Sequence, residues 1–186
     1  MQDLWLYHAV GGFNYRRTAM YTLKIIQHSD VSKADLDEII KIKSVAWPYP
    51  YEKQLEWLKA NLKESDLHLI LLKNNNTVAY LNLIDIDLEI DNKLFNAFGV
   101  GNVCTVEKGK GYGNELMKQT NQYIFEKKRV GLLFCKKELV DFYEKYNWLL
   151  MNKNKVILST DNNKIETVVF NQIEPIIKLQ YKGKLF

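Results

Sequence analysis

The chain has 186 residues, of which 47% are hydrophobic and 26% are charged, and its formal net charge is +4. These values fit one soluble globular domain, and no apolar run approaches the roughly 20 residues that a membrane-spanning helix needs. The lysines are dispersed and arginine occurs only at positions 16, 17 and 129, which argues against a nucleic-acid-binding protein. With two cysteines and no secretory leader, we expect a cytoplasmic protein with reduced thiols.

The N-terminal 19 residues differ in composition from the rest of the chain. They are aromatic and basic, contain a Gly-Gly pair, and lack the apolar core of a signal peptide. The first apolar strand pattern begins just after Met20. We therefore expect an extension of unknown role over residues 1–19, followed by a single domain over residues 20–186.

Hydrophobic periodicity and breakers predict the secondary structure of the first half of this domain. Ser32 and Asp35 form a capping-box pattern, and Leu36, Ile39, Ile40, Lys43 and Ala46 follow at helical spacing. Two prolines, at positions 48 and 50, end that helix within an aromatic elbow, residues 47–51, which either walls a binding pocket or merely packs. The predicted elements are a strand at 21–27, helices at 33–45 and 51–62, and strands at 67–73, 77–87 and 94–105.

The second half contains one long amphipathic helix between apolar strands. The predicted elements are a helix at 111–128, a strand at 130–135, a short helix at 138–146, and a hairpin of 148–159 with 164–172 around a turn at 161–163. Early helices, an antiparallel meander, a strand-helix-strand crossover and a closing hairpin together predict an α+β domain with a mixed sheet.

A glycine-rich stretch leads from the strand at 94–105 into the long helix. Residues 108–113 read KGKGYG. Unpaired amides and the dipole at a helix start favour an anion, and glycines let a diphosphate approach the backbone closely. The stretch lacks the Gly-x-x-x-x-Gly-Lys-Ser/Thr pattern of a P-loop, and the dinucleotide pattern needs a third glycine where Asn114 stands, so both readings fail. The stretch alone leaves two readings open, a phosphate site and a glycine-rich turn without a ligand.

Three stretches together resemble the GNAT superfamily of acyl-CoA-dependent N-acyltransferases. They are residues 101–105 (GNVCT), residues 108–113, and residues 142–148 (FYEKYNW). The phosphate motif of that family is Gln/Arg-x-x-Gly-x-Gly/Ala, and its later signature resembles Phe-Tyr-Glu-Lys-x-Gly-Phe/Trp. The order of elements over residues 20–173 also matches. The resemblance implies an α+β, GNAT-like fold: a mixed, mostly antiparallel sheet with helices on both faces and a splayed central strand pair.

The resemblance also implies where acetyl-CoA, the acyl donor, binds without a metal. Its pantetheine arm would lie between the strand ending near Thr105 and the strand at 130–135, with the diphosphate on the amides of residues 109–114. An amide near Val103 or Cys104 would polarise the thioester carbonyl. The implied cofactor-binding residues are Val103, Cys104, Thr105, Lys108, Gly109, Lys110, Gly111, Tyr112, Gly113 and Asn114.

Tyr143 is the catalytic residue that the resemblance implies. A tyrosine at this position protonates the departing CoA thiolate in the family, and the alternative is an aromatic core residue. Two positions depart from the family pattern. Lys108 replaces the usual Gln or Arg, and Asn147 stands where the family usually has glycine. Asparagine tolerates the left-handed conformation that a helix end often needs, so the second change is mild.

No general base is assigned from the sequence. Residues 94–106 contain no acid, and Cys104 has the character of a small apolar side chain rather than an acyl carrier, so we expect direct transfer. His8, His28 and His68 lack metal-ligand spacing. The carboxylates considered as bases, each with a solvated surface role as the alternative, are Asp85, Asp87, Glu89, Glu107, Glu52 and Glu56.

These observations predict an acetyl-CoA-dependent N-acetyltransferase acting on a primary amine of an unidentified small molecule or peptide. The alternative is a non-catalytic acyl-CoA-binding or regulatory module of the same fold. Residues 134–135, 138–143, 148, 156–158 and 168–170 together are similar to the aminoglycoside 2'-N-acetyltransferase branch, which usually carries a carboxylate where residues 98–100 have none. We expect no nucleic-acid or membrane partner, and a homodimer is left open.

Overall fold

The computed structural model describes the backbone of residues 6–10 and 13–17, and the backbone and side chains of residues 20–160, 164–172 and 175–186. The predicted turn at 161–163 and much of the extension at 1–19 lie outside these residues. The chain divides into two compact units. The first comprises Met1–Ile84 and Asn102–Gln119, and the second comprises Asp85–Gly101 and Thr120–Phe186.

The first unit is built on an antiparallel meander in which β1 to β5 pair in chain order. It also contains the end of β6 and the start of α3. The elements, in chain order, are β1 (Leu6–Val10), β2 (Phe13–Arg17), β3 (Tyr21–Gln27), α1 (Lys33–Ala46), α2 (Tyr51–Asn61), β4 (Leu67–Lys73), β5 (Asn76–Ile90), β6 (Lys93–Thr105) and α3 (Tyr112–Glu126).

Local sequence signals explain where these elements begin and turn. The Ser32 hydroxyl accepts a hydrogen bond of 3.1 Å from the Asp35 amide, which confirms the predicted cap of α1. Asn74 and Asn75 adopt left-handed φ angles of 49° and 63° in the turn between β4 and β5. Two successive left-handed residues form the tight turn that matches the twist of a hairpin, which is why an asparagine run marks this position.

The second unit contains the crossover and the C-terminal strands. Strand β6 pairs in parallel with β7 over residues 97–100 and 130–133, so the ladder ends before the last residues of β6. Strand β10 lies antiparallel between β7 and β8. The elements are β7 (Val130–Cys135), α4 (Val140–Glu144), β8 (Leu149–Leu150), β9 (Val156–Leu158), β10 (Glu166–Phe170) and β11 (Leu179–Tyr181).

The predicted fold class is confirmed: helices combine with a mixed, mostly antiparallel set of strands. The predicted C-terminal hairpin is confirmed at residues 149–150, which pair antiparallel with β10, and is wrong for residues 156–158. Strand β10 pairs with β8, whereas β9 pairs in parallel with β11, a strand that the sequence pattern did not reveal. A short 3-10 helix, Lys153–Lys155, separates β8 from β9, and the Asn152 side chain caps it. This 3-10 helix divides residues 148–159, which the sequence pattern predicts as one continuous strand.

Candidate functional site

The glycine loop, residues 106–111, connects β6 to α3 in the first unit. Gly109 and Gly111 have φ angles of 79° and 76°. A Cβ atom at either position would meet no heavy atom within 4 Å, so the backbone conformation, rather than space, requires glycine here. The loop is fixed at its start, where the Val106 amide donates a hydrogen bond of 3.0 Å to the Val78 carbonyl. At its end, Lys73 Nζ lies 5.6 Å from the centroid of the Tyr112 ring.

Helix α3 begins directly after the loop and presents its first amides there. The Glu115 amide bonds to the Gly111 carbonyl at 3.1 Å, which closes the first helical turn. The amides of the residues before Glu115 precede that turn and have no carbonyl of the helix to bond. Together with the helix dipole they favour an anion. The structure therefore places the predicted phosphate-binding residues together, with residues 108–111 and Asn114 exposed and Tyr112 and Gly113 half-buried.

The glycine loop carries three charged side chains, Glu107, Lys108 and Lys110, which differ in whether they form an ion pair. Lys110 Nζ lies 3.3 Å from a carboxylate oxygen of Glu107, and both side chains are more than half exposed. An exposed pair of this kind is weak, so an arriving anion can compete for the lysine. Lys108 is also exposed, and its charge adds to that of the amides.

The end of β6 carries a distortion that the sequence did not predict. Asn102 adopts a left-handed φ of 55°, and its side-chain amide donates a hydrogen bond of 2.6 Å to Asn82 Oδ1. Asn82 is fully buried, and its own amide nitrogen has no hydrogen-bond partner among the described residues. A left-handed residue breaks the regular alternation of a strand. It therefore changes the direction of the backbone immediately before Val103.

Of the three predicted residues at the end of β6, Cys104 is buried, while Val103 and Thr105 are half-buried. Burial raises the pKa of the Cys104 thiol to about 12, against a smaller opposing effect of Lys43. A thiol with this pKa stays protonated at neutral pH and is a poor nucleophile. Its chemistry agrees with the expectation that Cys104 does not carry an acyl group.

Tyr143, the predicted catalytic acid, lies on α4 in the second unit. Its side chain is buried against aromatic rings, with ring centroids 5.1 Å from Phe142 and 6.3 Å from Trp148. Burial raises the pKa of Tyr143 well above its usual range, with a smaller contribution from Cys135. The phenol therefore holds its proton at neutral pH, as a general acid must.

The end of α4 is held by hydrogen bonds from its own turn and from α3. The Trp148 amide bonds to the Tyr143 carbonyl at 3.3 Å, and the Trp148 indole donates to Asn121 at 2.9 Å. Asn147 adopts a left-handed φ of 62°, so asparagine here takes the conformation for which the family pattern has glycine. The stretch 142–148 is thus a helix end with a buried tryptophan behind it.

Several of the carboxylates considered as bases are engaged in ion pairs. Asp85 pairs with Arg129, Glu56 with Lys53, and Glu107 with Lys110. Asp87 and Glu52 are exposed, and Glu89 is half-buried on β5. None of these contacts identifies a base. The aromatic elbow is also mostly exposed, since Tyr49 keeps 64% of its surface.

A cavity of about 640 Å³ lies in the first unit beside α1. Val45, Thr77 and Val106 line it, so it opens next to the start of the glycine loop. Two of its charged groups, Lys24 and Asp35, pair with each other at 2.5 Å. The elbow residues at 47–51 are not part of its lining.

Sequence reasoning missed a polar cluster buried beneath α1. His68 Nδ1 lies 2.8 Å from Tyr80 Oη, and His68 Nε2 lies 2.9 Å from His28 Nδ1. Lys43 is only 1% exposed, and its Nζ has no hydrogen-bond partner among the described residues. One signal was present in the sequence, because Lys43 falls on the apolar stripe of the predicted helix.

The described residues form neither a cluster of metal ligands nor a membrane-spanning helix. No group of three or more His, Cys, Asp and Glu side chains there could hold a metal ion. No helix in the same part of the chain is long and apolar enough to cross a membrane.

The sequence and the fold are both similar to those of known acyltransferases. A family model described as an acetyltransferase (GNAT) domain matches residues 28–151, which is more than half of the chain. No curated protein sequence matches. The fold is similar to that of an acyl-CoA N-acyltransferase from Pseudomonas aeruginosa, with a TM-score of 0.59 and 16% identity over 81% of this chain and 99% of the other.

Two further similar structures contain acetyl-CoA. The N-acetyltransferase PseH from Campylobacter jejuni in complex with acetyl coenzyme A has a TM-score of 0.55 and 15% identity over 81% of this chain and 99% of its own. A GNAT family acetyltransferase from Brucella melitensis in complex with acetyl-CoA has a TM-score of 0.54 and 14% identity over 87% of this chain and 96% of its own. At these identities the likeness concerns the fold, whereas the family model rests on the sequence itself. The chain belongs to the GNAT acetyltransferase domain family.

Proposed function

We propose that this protein transfers an acetyl group from acetyl-CoA to a primary amine by direct attack. The observation that carries the proposal is the glycine loop, in which two left-handed glycines precede a helix start with open amides. This is the geometry for a diphosphate, and it occurs at the phosphate motif of a GNAT domain. The acetyl-CoA complexes of the Campylobacter and Brucella proteins support the choice of donor.

The proposed chemistry assigns one task to each group. Amides of residues 109–114 hold the diphosphate, and Lys108 adds a positive charge. The Val103 or Cys104 amide stabilises the oxyanion as the acceptor amine attacks the thioester carbonyl. The C–N bond forms, the C–S bond breaks, and Tyr143 gives its proton to the departing thiolate. The amine gives one proton to solvent and Tyr143 recovers one from solvent, which restores the phenol for the next turnover.

The acceptor is proposed only by class, as a small molecule or a peptide terminus with a primary amine. Residues 94–105 of β6 carry no carboxylate that would mark a cationic acceptor. The similarity to the aminoglycoside 2'-N-acetyltransferase branch stays a prediction, and an aminoglycoside belongs in any panel of acceptors.

A second candidate function follows from the absence of a carboxylate in residues 94–105. A protein that keeps the loop but lacks an acceptor-side acid could bind acyl-CoA as a regulatory module without turnover. Both candidates predict binding of acetyl-CoA, and only the enzyme predicts the release of CoA thiol when an amine is added.

The test has two steps. Calorimetry compares acetyl-CoA with S-acetylpantetheine, which has the same thioester but lacks the diphosphate. We expect acetyl-CoA to bind far more tightly, and equal affinity would exclude the loop as a diphosphate site. Thiol release is then measured with a panel of amines, amino acids, peptides and aminoglycosides. Release with any member supports the enzyme, and binding without release supports the regulatory module.

A further inference from the structure

Two asparagines lie opposite each other on β5 and β6, which are neighbours in the sheet. The Asn102 side-chain amide donates a hydrogen bond of 2.6 Å to Asn82 Oδ1. Further along the same two strands, the Val106 amide donates to the Val78 carbonyl. Because Asn102 precedes Val106 by four residues and Asn82 follows that partner by four, one antiparallel register accounts for both contacts. The asparagine pair therefore belongs to the ladder, directly before the residues proposed to contact the thioester.

Stability does not explain the asparagine at position 82. Its side chain is 0% exposed, and the residues on either side, Leu81 and Leu83, are buried and apolar. Within the described residues, the Asn82 amide nitrogen has no hydrogen-bond partner. Burying an amide group that is only partly satisfied is costly, and leucine at this position would avoid the cost. The bond to Asn102 is a contact that an apolar side chain could not make.

Asn102 has a backbone conformation that is foreign to a strand. It lies within β6, yet its φ of 55° is in the left-handed region. This region is unfavourable for residues other than glycine, and asparagine is one of the few that tolerate it. A side-chain bond to a buried partner restricts the movement of Asn102 and stabilises this conformation. Asn82 provides that bond.

The conformation of Asn102 determines the direction of the Val103 N–H. That N–H belongs to the peptide plane that follows Asn102, and the ψ angle of Asn102 orients this plane. The ψ angle is about +135° in an antiparallel strand and about +47° in the left-handed conformation. The plane is therefore rotated by roughly 90° from its position in a regular ladder. The Val103 N–H is thus turned out of the direction in which strands pair.

The same register distinguishes Val103 from Cys104. Alternate residues of a strand direct their N–H groups to the same neighbouring strand. Val106 directs its N–H to β5, so the pattern directs the N–H of Cys104 to β5 as well and that of Val103 away from it. Cys104 is also buried, whereas Val103 is half-buried. Of the two amides considered for the oxyanion, the geometry favours that of Val103.

We infer that Asn82 is a positioning residue for the oxyanion donor, an assignment that rests on the proposed function. It acts through Asn102, whose left-handed conformation directs the Val103 N–H at the thioester carbonyl of bound acetyl-CoA. As the amine attacks, the carbonyl oxygen gains negative charge. An N–H that is already held in position stabilises this charge without reorganisation.

The experiment observes the thioester carbonyl directly. Acetyl-CoA isotopically labelled at this carbonyl is bound to the full chain, and infrared spectroscopy compares its stretching frequency with that of the same compound in solution. We expect a lower frequency in the parent protein, because a well-placed hydrogen bond weakens the C=O bond. Asn82→Leu, which removes the acceptor, and Asn102→Ala, which removes the donor, should both shift the frequency back toward the solution value. Calorimetry should show nearly unchanged affinity for acetyl-CoA, since the diphosphate site is unaltered.

A second substitution distinguishes positioning from a general loss of stability. Glycine adopts the left-handed conformation without a side-chain bond, so adding Asn102→Gly to Asn82→Leu should recover most of the frequency shift. Turnover with an amine that releases thiol should follow the same order and should fall by about 10-fold or more in Asn82→Leu.

Asn171→Ala is the matched control. Asn171 directly follows β10, has a left-handed φ of 62°, and donates from its side chain to the Arg129 carbonyl at 2.8 Å. The variant loses the same kind of contact at a half-buried asparagine that takes no part in the proposed chemistry. It should leave the carbonyl frequency and turnover unchanged.

The outcomes separate the inference from the proposed function. Equal carbonyl frequencies in the parent protein, Asn82→Leu and Asn102→Ala would overturn the inference, while thiol release with added amines would leave the proposed function intact. A loss in Asn82→Leu that Asn102→Gly does not repair would also overturn it, because Asn82 would then not act by holding Asn102. Absence of acetyl-CoA binding by calorimetry refutes the proposed function, and the inference with it.

Discussion

The Trp148 indole N–H donates a hydrogen bond of 2.9 Å to Asn121 Oδ1. The same asparagine donates from its amide group to the Tyr146 carbonyl at 2.7 Å. One side chain of α3 thus satisfies a buried indole and holds the turn that follows α4. Because Tyr143 lies on α4, this asparagine contributes to the position of the predicted acid.

Replacing Asn121 by alanine should destabilise the protein. The Trp148 side chain is only 1% exposed, so its N–H would be left buried without a partner. Such a loss costs about 1–3 kcal/mol in the free energy of unfolding. Urea denaturation measures it. The control is Gln122→Ala, since the exposed Gln122 side chain bonds to Glu126 on the same helix and its loss should cost far less. Equal costs for the two variants would contradict the assignment.

The conformation of Gly109 leads to a second prediction. A side chain there meets open space, so Gly109→Ala should be destabilised only by the left-handed backbone, by roughly 1–2 kcal/mol. Asparagine accepts this conformation more readily, so Gly109→Asn should unfold at a higher urea concentration than Gly109→Ala. Acetyl-CoA affinity, measured by calorimetry, should fall in both, because any side chain obstructs the approach of a diphosphate. Unchanged affinity in both variants would argue against a diphosphate at this loop.

Much of the fold could be predicted because its signals are local. Strands β3, β4 and β7 have the predicted bounds, and the Ser32 cap and the asparagine turns fix neighbouring elements through their own backbone preferences. The C-terminal pairing could not be predicted in the same way. Strand β9 joins β11, a partner more than 20 residues away, through three residues of each strand. Nothing in so short a pattern specifies which partner it takes.

The features of the candidate site could also be predicted only where their sequence signal is local. The glycine loop was predictable because two residues need left-handed backbone and glycine supplies it. The Asn82–Asn102 bond and the His28–His68–Tyr80 line join residues 12 to 40 positions apart. Such contacts depend on strand register and helix packing, which single positions do not reveal. Lys43 was the exception, since a charge on an apolar stripe is visible in the sequence.

Removing the Tyr143 hydroxyl should separate catalysis from binding. If the phenol protonates the CoA thiolate, Tyr143→Phe should lower turnover by about 100-fold or more while leaving acetyl-CoA affinity nearly unchanged. Steady-state kinetics and calorimetry measure the two quantities. Tyr146→Phe removes a phenol just beyond the same helix and should retain turnover. Unchanged turnover in Tyr143→Phe would return Tyr143 to a structural role in the aromatic cluster.

The buried His68 predicts how stability depends on pH. Its pKa is about 3 in the folded protein, against an ordinary value of 6.5, chiefly because burial disfavours the charged ring. Between these values the unfolded chain binds more protons than the folded protein, so the free energy of unfolding rises with pH. This contribution is complete above pH 6.5 and is lost as the pH falls toward 3. Protonation of His68 would also add a charge that Lys43 opposes, and within the described residues the Lys43 Nζ has no hydrogen-bond partner.

His68→Asn tests this dependence, because asparagine can still bond to Tyr80 but does not titrate. The variant should be less stable at neutral pH, since it leaves a cavity, yet its free energy of unfolding should fall less steeply on acidification below pH 6.5. Urea denaturation at a series of pH values gives the slope for each protein. His28→Asn is the matched control. The pKa of His28 is also lowered by burial, against an opposing effect of Asp66, but the ring is only half-buried. Its replacement should change the slope less. Parallel curves for the parent and His68→Asn would show that His68 does not remain neutral in the folded protein through this range.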